Sequence, residues 1–344
     1  VTRYHQRQKL SSWSFNDGDG VNLEERFVPL EKVGLYVPGG KAFYPSSIVM
    51  NAVPAKVAGV NRIIVAFPPK TANNPYILVT LGELGLEEIY TIGGAQAIAA
   101  MAFGTETVPK VDKIVGPGNV YVSLAKRYVY GVVDIDMLAG PSEVVILADQ
   151  TANPKFIAAD LLAQAEHDQM AQAVCITTSL ELAKKVKTEI AQQIKGLKRR
   201  KIITEALSEQ GLIVVVENLD EGIKLVNQIA PEHLELMTTN PRQSLGRIRN
   251  AGAIFLGQYS PAPVGDYFAG TNHVLPTGGT ARFSSPLGVY DFLKRSSIVE
   301  YSKRRIQKKG YLIRRLAHIE QLGAHAKAIE LREQQVEKSA IKES

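Results

Sequence analysis

The sequence contains little of several residue types, and each scarcity excludes a class of protein. Its 344 residues include one cysteine, Cys175, which excludes a disulfide framework within the chain and a cysteine-rich zinc or iron–sulfur site. Cys175 lies in the apolar run Ala-Val-Cys-Ile, which predicts an inert core residue. No stretch approaches the ~20 apolar residues that a membrane-spanning helix needs, and no apolar segment follows the polar start. We therefore predict no membrane association and no secretion, and a cytoplasmic location.

Positive charge is in modest excess and is concentrated near the C-terminus. The composition is 45% hydrophobic and 22% charged with a net charge of +6, which is close to a globular average. Much of the excess comes from Lys303, Arg304, Arg305, Lys308, Lys309, Arg314 and Arg315. Such a run is typical of the solvated face of a helix, and no zinc-finger spacing or aromatic-rich RNA-binding motif accompanies it. We predict no nucleic-acid partner.

Short apolar runs that alternate with helical patterns predict an α/β protein. The stretch 1–30 is polar and indicates irregular structure. Strand-like runs then occur in two series, at 33–37, 62–67, 89–92 and 113–115, and at 143–148, 174–178, 212–216 and 253–256. Helical patterns between them favour parallel β-α units. After Gly288 the pattern is mostly helical. The sequence therefore predicts two α/β layers and a helical C-terminal piece.

Glycine-rich turns follow three of the predicted strands. They are Gly39-Gly40, Gly93-Gly94 and Gly116-Pro-Gly-Asn119. Sheets of this class bind ligands at the carboxyl ends of their strands and at helix N-termini. However, none of the turns has the Gly-x-Gly-x-x-Gly spacing, and the sequence has no Walker A motif. The turns alone indicate only that a nucleotide could bind there.

Two pairs of polar residues have spacings that suit a metal site or a general base. Gln164 and His167 are three residues apart on a predicted helix, so they share a face and could hold one cation such as zinc, or simply lie on the surface. Glu232 and His233 follow Pro231 at the start of an extended segment, where a carboxylate beside an imidazole suits proton transfer. Adjacent residues in a regular strand point to opposite faces. Both serve one site only if the backbone is irregular there; otherwise one is structural.

Further polar residues lie in punctuated segments nearer the C-terminus. Asp266 and His273 lie in a stretch with two prolines and two glycines that predicts a loop, where an aspartate is either a third metal ligand or part of a turn. Glu320 and His325 are five residues apart, so a straight helix would not align them, and Gly323 is a candidate break. From the residues alone we predict an α/β enzyme with a His/Glu base, with metal dependence left open.

Seven segments together resemble the histidinol dehydrogenase family. They lie between residues 30 and 335 in the family's order: VGLYVPGG at 33–40, IGGAQ at 92–96, VGPGN at 115–119, DMLAGPSE at 136–143, QAEH at 164–167, APEH at 230–233 and PVGDY at 263–267. The resemblance implies two incomplete Rossmann-like parallel-sheet domains and a helical C-terminal arm. Residues 1–35 and 143–287 would form the larger domain with the zinc and catalytic residues. Residues 36–142 would bind NAD, and 288–344 would be an arm exchanged in a homodimer.

The resemblance also implies a role for each matching residue. One Zn²⁺ per subunit would be held by Gln164, His167, Asp266 and His325. The catalytic pair would be Glu232 and His233. The NAD contacts would be Tyr36, Gln96 and Asn119. The substrate contacts would be Ser142 and Glu320 together with His233 and the four zinc ligands. Glu320 and His325 would complete the active site of the partner subunit, and the resemblance assigns no role to His273.

The implied reaction is a four-electron oxidation of L-histidinol to L-histidine through bound L-histidinal, with two NAD, at the end of histidine biosynthesis. Zinc would hold the substrate's amine and imidazole, His233 would take the alcohol proton, and Glu232 would activate the attacking water. One alternative is a related zinc and NAD dehydrogenase acting on another small alcohol, such as a sulfonated propanediol. Glu320 disfavours it, because a carboxylate suits a cationic substrate and repels a sulfonate.

A second alternative is an inactive truncated homologue. Family members usually carry a longer region before the stretch that resembles residue 1, and they often have glycine at the position of Gln321. Against this alternative, Glu232, His233 and all four zinc-ligand positions match the family pattern.

Overall fold

The computed structural model describes residues 1–39 and 44–343, and the surroundings of side chains as far as residue 335. Gly40, which belongs to one of the predicted glycine turns, lies outside the described residues. The strands are β1 (Trp13–Asn16), β2 (Val21–Pro29), β3 (Lys32–Tyr36), β4 (Arg62–Ala66), β5 (Ile89–Tyr90), β6 (Lys113–Val115), β7 (Asp134–Ile135), β8 (Glu143–Ala148), β9 (Gln172–Thr177), β10 (Gly211–Val215), β11 (His233–Met237), β12 (Ala253–Leu256) and β13 (Leu293–Tyr301).

The helices alternate with most of these strands. They are α1 (Thr2–Gln6), α2 (Pro45–Ala58), α3 (Pro75–Glu83), α4 (Gly94–Phe103), α5 (Val120–Val129), α6 (Pro154–Ala165), α7 (Leu180–Gln193), α8 (Arg200–Gln210), α9 (Leu219–Ile229), α10 (Pro241–Leu245), α11 (Ala262–Tyr267), α12 (Lys303–Ile319) and α13 (Gly323–Glu343). Short 3₁₀ turns lie at Pro69–Thr71, Ile194–Gly196, Thr280–Arg282 and Val289–Phe292. No helix within 1–39 or 44–343 combines the length and apolarity that crossing a bilayer requires.

Two five-stranded parallel sheets form the centre of the fold. Their strand orders are β5-β4-β3-β6-β7 and β10-β9-β8-β11-β12. Every residue of β8 is buried, as expected of a central parallel strand with helices on both faces. Val144 and Ile146 pack in one core cluster with Leu161 of α6, while Val145 and Leu147 pack on the other face in a cluster with residues of α9. The prediction of an α/β fold with parallel sheets is confirmed.

The prediction for the first 30 residues was wrong, whereas the C-terminal piece is mostly helical, as predicted, after an initial strand. The stretch 1–30 is not irregular, because it contains α1, β1 and β2. The segment after Gly288 first forms β13, which pairs antiparallel with β2 along its whole length, from Leu293 opposite Pro29 to Tyr301 opposite Val21. The helices α12 and α13 then make up most of the segment. Most of β13 is exposed, so its sequence carries no alternation of buried and exposed apolar residues. Its conformation depends on a partner strand near the opposite end of the sequence.

The chain forms two compact units. One comprises Val1–Lys9 and Leu30–Phe292 and contains both parallel sheets. The other comprises Leu10–Pro29 and Leu293–Ser344 and contains the antiparallel sheet β1-β2-β13 with α12 and α13. These units differ from the predicted boundaries in two respects. Residues 10–29 group with the C-terminal segment, and the boundary at residue 36 cuts β3, which is the middle strand of the first parallel sheet.

Candidate active site

Glu232 and His233 come together because the backbone is irregular just before β11. Helix α9 ends at Ala230, which adopts a left-handed conformation with φ of 52°. Glu232 therefore lies outside the strand that His233 begins, and the alternation of faces does not separate them. His233 Nδ1 lies 3.4 Å from Glu232 Oε2, and both side chains are buried. The structure thus supplies the irregular backbone that a shared site requires.

Glu143, which the sequence did not single out, holds this pair in position. Its backbone amide donates to Glu232 Oε2 over 2.8 Å, and its own carboxylate accepts the amides of Glu232 (3.3 Å) and Gly278 (2.8 Å). Its carbonyl oxygen lies 3.0 Å from His233 Nδ1. Because a carbonyl can only accept, Nδ1 carries a proton and Nε2 is the ring atom free to exchange one. Burial raises the pKa of Glu143.

Ser142 lies directly beside this residue. It is half-buried just before β8, and its carbonyl accepts the amide of Gln172 over 2.9 Å. The DMLAGPSE segment therefore ends at the amino edge of the second sheet, where β11 also begins. The only sequence signal for Glu143 was its place at the end of that segment.

Asp266 approaches His233 from the other side. The predicted loop contains the short helix α11, whose prolines lie before or within its first turn, where helices tolerate them. Asp266 Oδ1 lies 3.8 Å from His233 Nε2. Burial alone would lower the pKa of His233, but Asp266 and Glu232 outweigh it and raise this pKa to about 10. His233 is therefore held between two carboxylates, with its ring stacked on Phe255 at 6.0 Å between centroids.

Gln164 and His167 lie at the end of α6. Gln164 is buried in the last turn, whereas His167 follows the C-cap Glu166 and is outside the helix, so the helix predicted through 167 ends two residues early. The His167 amide still donates to the Gln164 carbonyl over 3.2 Å, which keeps the two residues adjacent. Burial and then the charges of nearby groups, among them Asp266 and Glu166, raise the pKa of Tyr267. Glu166 at the end of α6 is thus close enough to Tyr267 at the end of α11 to affect its pKa.

Several buried polar atoms in this region have no hydrogen-bond partner. They are Gln164 Nε2, His233 Nε2 and His273 Nε2. Burial lowers the pKa of His273, which also experiences the charges of Asp266, His233 and Glu232, so it faces the same cluster. Unpaired buried polar atoms are costly, and three in one region indicate a polar ligand. His273, to which the family resemblance assigns no role, is thus a site residue.

The donor atoms near α6 and α11 fit the predicted metal in kind. An amide, an imidazole and a carboxylate are ligands that zinc accepts. Within the described part of the chain, no three His, Cys, Asp or Glu side chains gather closely enough to hold a metal. The predicted set does not require such a cluster, because it includes the amide of Gln164 and a histidine from another subunit.

The three predicted NAD contacts lie at the carboxyl edge of the first sheet. Tyr36 ends β3, and its hydroxyl accepts the Gly94 amide over 3.1 Å. Gln96 is exposed in the first turn of α4. Asn119 caps α5, where its side-chain oxygen accepts two amides at 3.1 Å and leaves its NH₂ group for a ligand. This edge is where sheets of this class bind nucleotides.

The turn that carries Asn119 is held in place by a buried ion pair. Lys126 Nζ donates to the Gly116 carbonyl over 3.1 Å, and Asp136 Oδ2 accepts the Gly116 amide over 2.8 Å. Lys126 and Asp136 also contact each other. Gly116 has a φ of +109°, and a Cβ there would lie 2.1 Å from the Tyr36 carbonyl oxygen, so only glycine fits.

Glu320 and His325 belong to the second unit, unlike the other predicted site residues. Both are exposed, one on each side of the break between α12 and α13. The break centres on Gln321, which has a φ of 59°. The break therefore lies two residues before Gly323, whereas the sequence predicts it at Gly323.

Comparisons with known proteins agree with this architecture. The family model described as histidinol dehydrogenase matches residues 1–333. The histidinol dehydrogenase of Halalkalibacterium halodurans is 57% identical over 334 residues, which cover 96% of this chain and 79% of the relative. That of Bacillus subtilis (strain 168) is 54% identical over 340 residues, covering 98% of this chain and 80% of the relative.

Solved structures extend the likeness to three dimensions. The crystal structure of histidinol dehydrogenase from Elizabethkingia anophelis matches with a TM-score of 0.94 at 40% identity, over 98% of this chain and 78% of that one. A putative aldehyde dehydrogenase, PutA from Anabaena variabilis, matches with a TM-score of 0.55 at 14% identity over 87% of this chain and 78% of that one, and shares the fold alone. The family match over nearly the whole sequence, together with the close relatives, shows that the chain belongs to the histidinol dehydrogenase family of oxidoreductases.

Proposed function

We propose that this chain oxidises L-histidinol to L-histidine through bound L-histidinal, with two NAD⁺, as the last steps of histidine biosynthesis. The observation that carries the proposal is the cluster of buried Glu232 and His233 with half-buried Asp266, in which His233 Nε2 has no hydrogen-bond partner. A buried base whose reactive nitrogen lacks a partner is arranged to receive a proton from a ligand.

His233 and Glu232 divide the proton transfers between the two steps. Nδ1–H of His233 donates to the Glu143 carbonyl and orients the ring, and Nε2 would accept the proton of the substrate alcohol once Asp266 is engaged as a metal ligand and no longer raises the pKa of His233. Glu232 Oε2 is held by the Glu143 amide, which leaves Oε1 to take a proton from the water that attacks the bound aldehyde. The resulting hydrate gives up the second hydride of the overall reaction and becomes the carboxylate. NAD⁺, when bound at the edge formed by Tyr36, Gln96 and Asn119, supplies the acceptor for each hydride.

Gln164, His167 and Asp266, with His325 of the partner subunit, would hold Zn²⁺, which serves chiefly to bind and orient the substrate's amine and imidazole. The unpartnered Gln164 and His273 side-chain nitrogens support a polar ligand in this region. The chain would act as a homodimer in which Glu320 and His325 complete the other subunit's site. The burial of His233 and Glu232 protects an amino aldehyde from bulk water between the two steps.

Two substitutions test the assignment of roles. His233→Asn should abolish NADH formation from L-histidinol, because no base remains for the alcohol proton. Glu232→Gln should permit the first oxidation and stop the second, giving one NADH per histidinol and trappable L-histidinal. If Glu232→Gln still produced two NADH at the wild-type rate, Glu232 would not be the residue that activates water.

A second substrate class is tested in the same assay. A sulfonated propanediol should give no NADH, because Glu320 would repel its sulfonate. NADH from the sulfonated diol but none from histidinol would favour the related dehydrogenase. NADH from neither, with the metal loaded, would favour an inactive homologue.

A further inference from the structure

Two carboxyl groups beside the active site, one completely buried and one half-buried, take no part in the proposed reaction. Glu235 is completely buried on β11, two residues after His233 and therefore on the same face of the strand. Asp160 lies on α6, one turn before Gln164 and on the same side of the helix. The two carboxyl groups are close enough to act directly on each other.

This contact requires a proton. Glu235 Oε1 accepts the amide of Ala262 over 2.8 Å, but Glu235 Oε2 is buried without a donor. Two ionised carboxylates have only acceptor atoms, so one of the pair must carry a hydrogen for the contact to be a bond. Burial raises the pKa of both groups, and the charge of Asp160 raises that of Glu235 further.

Within the described residues, His233 is the one positive charge that acts on the pair, and Glu232 and Asp266 already flank it. The charged groups that act on Glu235 are Asp160 from α6 and, to a lesser extent, His233 from its own strand. Its neighbours on the flanking strands are Ile146 of β8 and Phe255 of β12, which do not titrate. Asp160 faces Glu235 alone among the charged groups described. A shared proton is therefore what makes this arrangement stable at neutral pH.

The pair connects the three elements that bring the predicted site residues together. β11 carries His233, α6 carries Gln164 near its end, and α11 carries Asp266. Glu235 belongs to β11 and interacts with Asp160 of α6. It also accepts the backbone amide of Ala262, the first residue of α11.

We propose that Asp160 and Glu235 share one proton and act as a positioning pair, which holds α6, β11 and α11 so that Gln164, His233 and Asp266 converge. The effect of this positioning on catalysis rests on the proposed function, whereas the shared proton does not depend on it. Loss of that proton leaves two carboxylates in repulsion between the elements and loosens the site.

The shared proton is tested by infrared difference spectroscopy of the full chain at neutral pH. The wild-type spectrum should contain a C=O stretch of a buried carboxylic acid that is missing from both Asp160→Asn and Glu235→Gln, because either amide donates to the remaining carboxylate without a proton. Any carboxylic-acid band from Glu143 is the same in all three spectra and cancels in the differences. A band that persists unchanged in both variants would refute the shared proton, whatever the enzyme's substrate.

The positioning role is tested by kinetics with L-histidinol and by zinc competition against a chromophoric chelator. Asp160→Ala should lower kcat between about 10-fold and about 100-fold, since small displacements of reacting groups have effects of that size, and should weaken zinc binding. Asp160→Asn should restore both to within a few-fold, and its activity should persist to higher pH than that of the wild type. Asp220→Asn, which removes an exposed carboxylate paired with Arg247, is the matched control and should change neither.

The outcomes separate the two proposals. If Asp160→Ala is destabilised but its folded fraction keeps wild-type kcat and zinc affinity, the pair is merely structural and the positioning role is wrong. If the wild type gives no NADH from histidinol, the proposed function fails, while the infrared band and the zinc affinity still decide the role of the pair.

Discussion

Removing one partner of the buried Lys126–Asp136 ion pair should disrupt the turn that carries Asn119. The side chains are 2% and 1% exposed, and together they bind both the carbonyl and the amide of Gly116. Lys126→Met leaves the charge of Asp136 buried and unpaired, which typically lowers the free energy of unfolding by about 3–5 kcal/mol. The double variant Lys126→Met/Asp136→Leu removes both charges and should recover most of this loss, because apolar replacements of buried ion pairs are often neutral.

The two variants separate stability from cofactor binding. The double variant regains stability but not the two hydrogen bonds to Gly116, each worth about 1 kcal/mol. We therefore expect urea denaturation near the wild-type midpoint, and an NAD⁺ affinity by calorimetry weaker by about tenfold or more. Substitution of an exposed carboxylate, as in Asp220→Asn, should leave both measurements unchanged. A single variant that loses less than about 1 kcal/mol, or a double variant that binds NAD⁺ like the wild type, would refute the reasoning.

Three further predictions concern other parts of the chain. Gln321→Gly should raise the free energy of unfolding by about 1 kcal/mol, because glycine adopts the left-handed φ of 59° without strain; an unchanged or lower value in urea denaturation would contradict it. For Asp149, burial would raise the pKa, but hydrogen bonds from Thr151 and Thr239 outweigh it and lower the pKa. Its stabilisation is therefore present above the unfolded-state pKa of about 3.9 and lost as the pH falls below it. Asp149→Asn should cost about 1–3 kcal/mol at neutral pH and progressively less as the pH falls below about 3.9, and a loss that does not change with pH would argue against the ionised carboxylate. Finally, a mixture of His233→Asn and His325→Asn chains, each inactive alone, should regain about a quarter of wild-type activity after subunit exchange, because half of the dimers contain one intact site; no recovery would count against a shared site.

The parallel sheets could be predicted because their strands are buried. A run such as 143–148 is almost entirely apolar, since helices cover both faces of β8, and this signal does not depend on the rest of the chain. The β2–β13 ladder gave no such signal. Most of β13 is exposed, and it becomes a strand by pairing with β2 near the other end of the sequence. Pairing over that separation leaves no local pattern to detect.

The candidate site was predictable in its residue types but not in its geometry. Whether Glu232 and His233 share a site depends on the left-handed conformation of Ala230, which a non-glycine residue does not reveal in sequence. Glu143 acts through its backbone amide and carbonyl as well as through its carboxylate, on residues distant in sequence, so no local pattern indicated its role. His273 became a site residue only when the fold brought it near Asp266 and His233.

The central claim is that one chain carries out both oxidations of L-histidinol at the Glu232–His233 site. The most direct measurement is the ratio of NADH to L-histidine formed by the zinc-loaded protein from limiting L-histidinol, with a chelator-treated sample as control. We predict two NADH for each histidine, and neither product after chelation. One NADH with release of the aldehyde, or full activity without metal, would contradict the account.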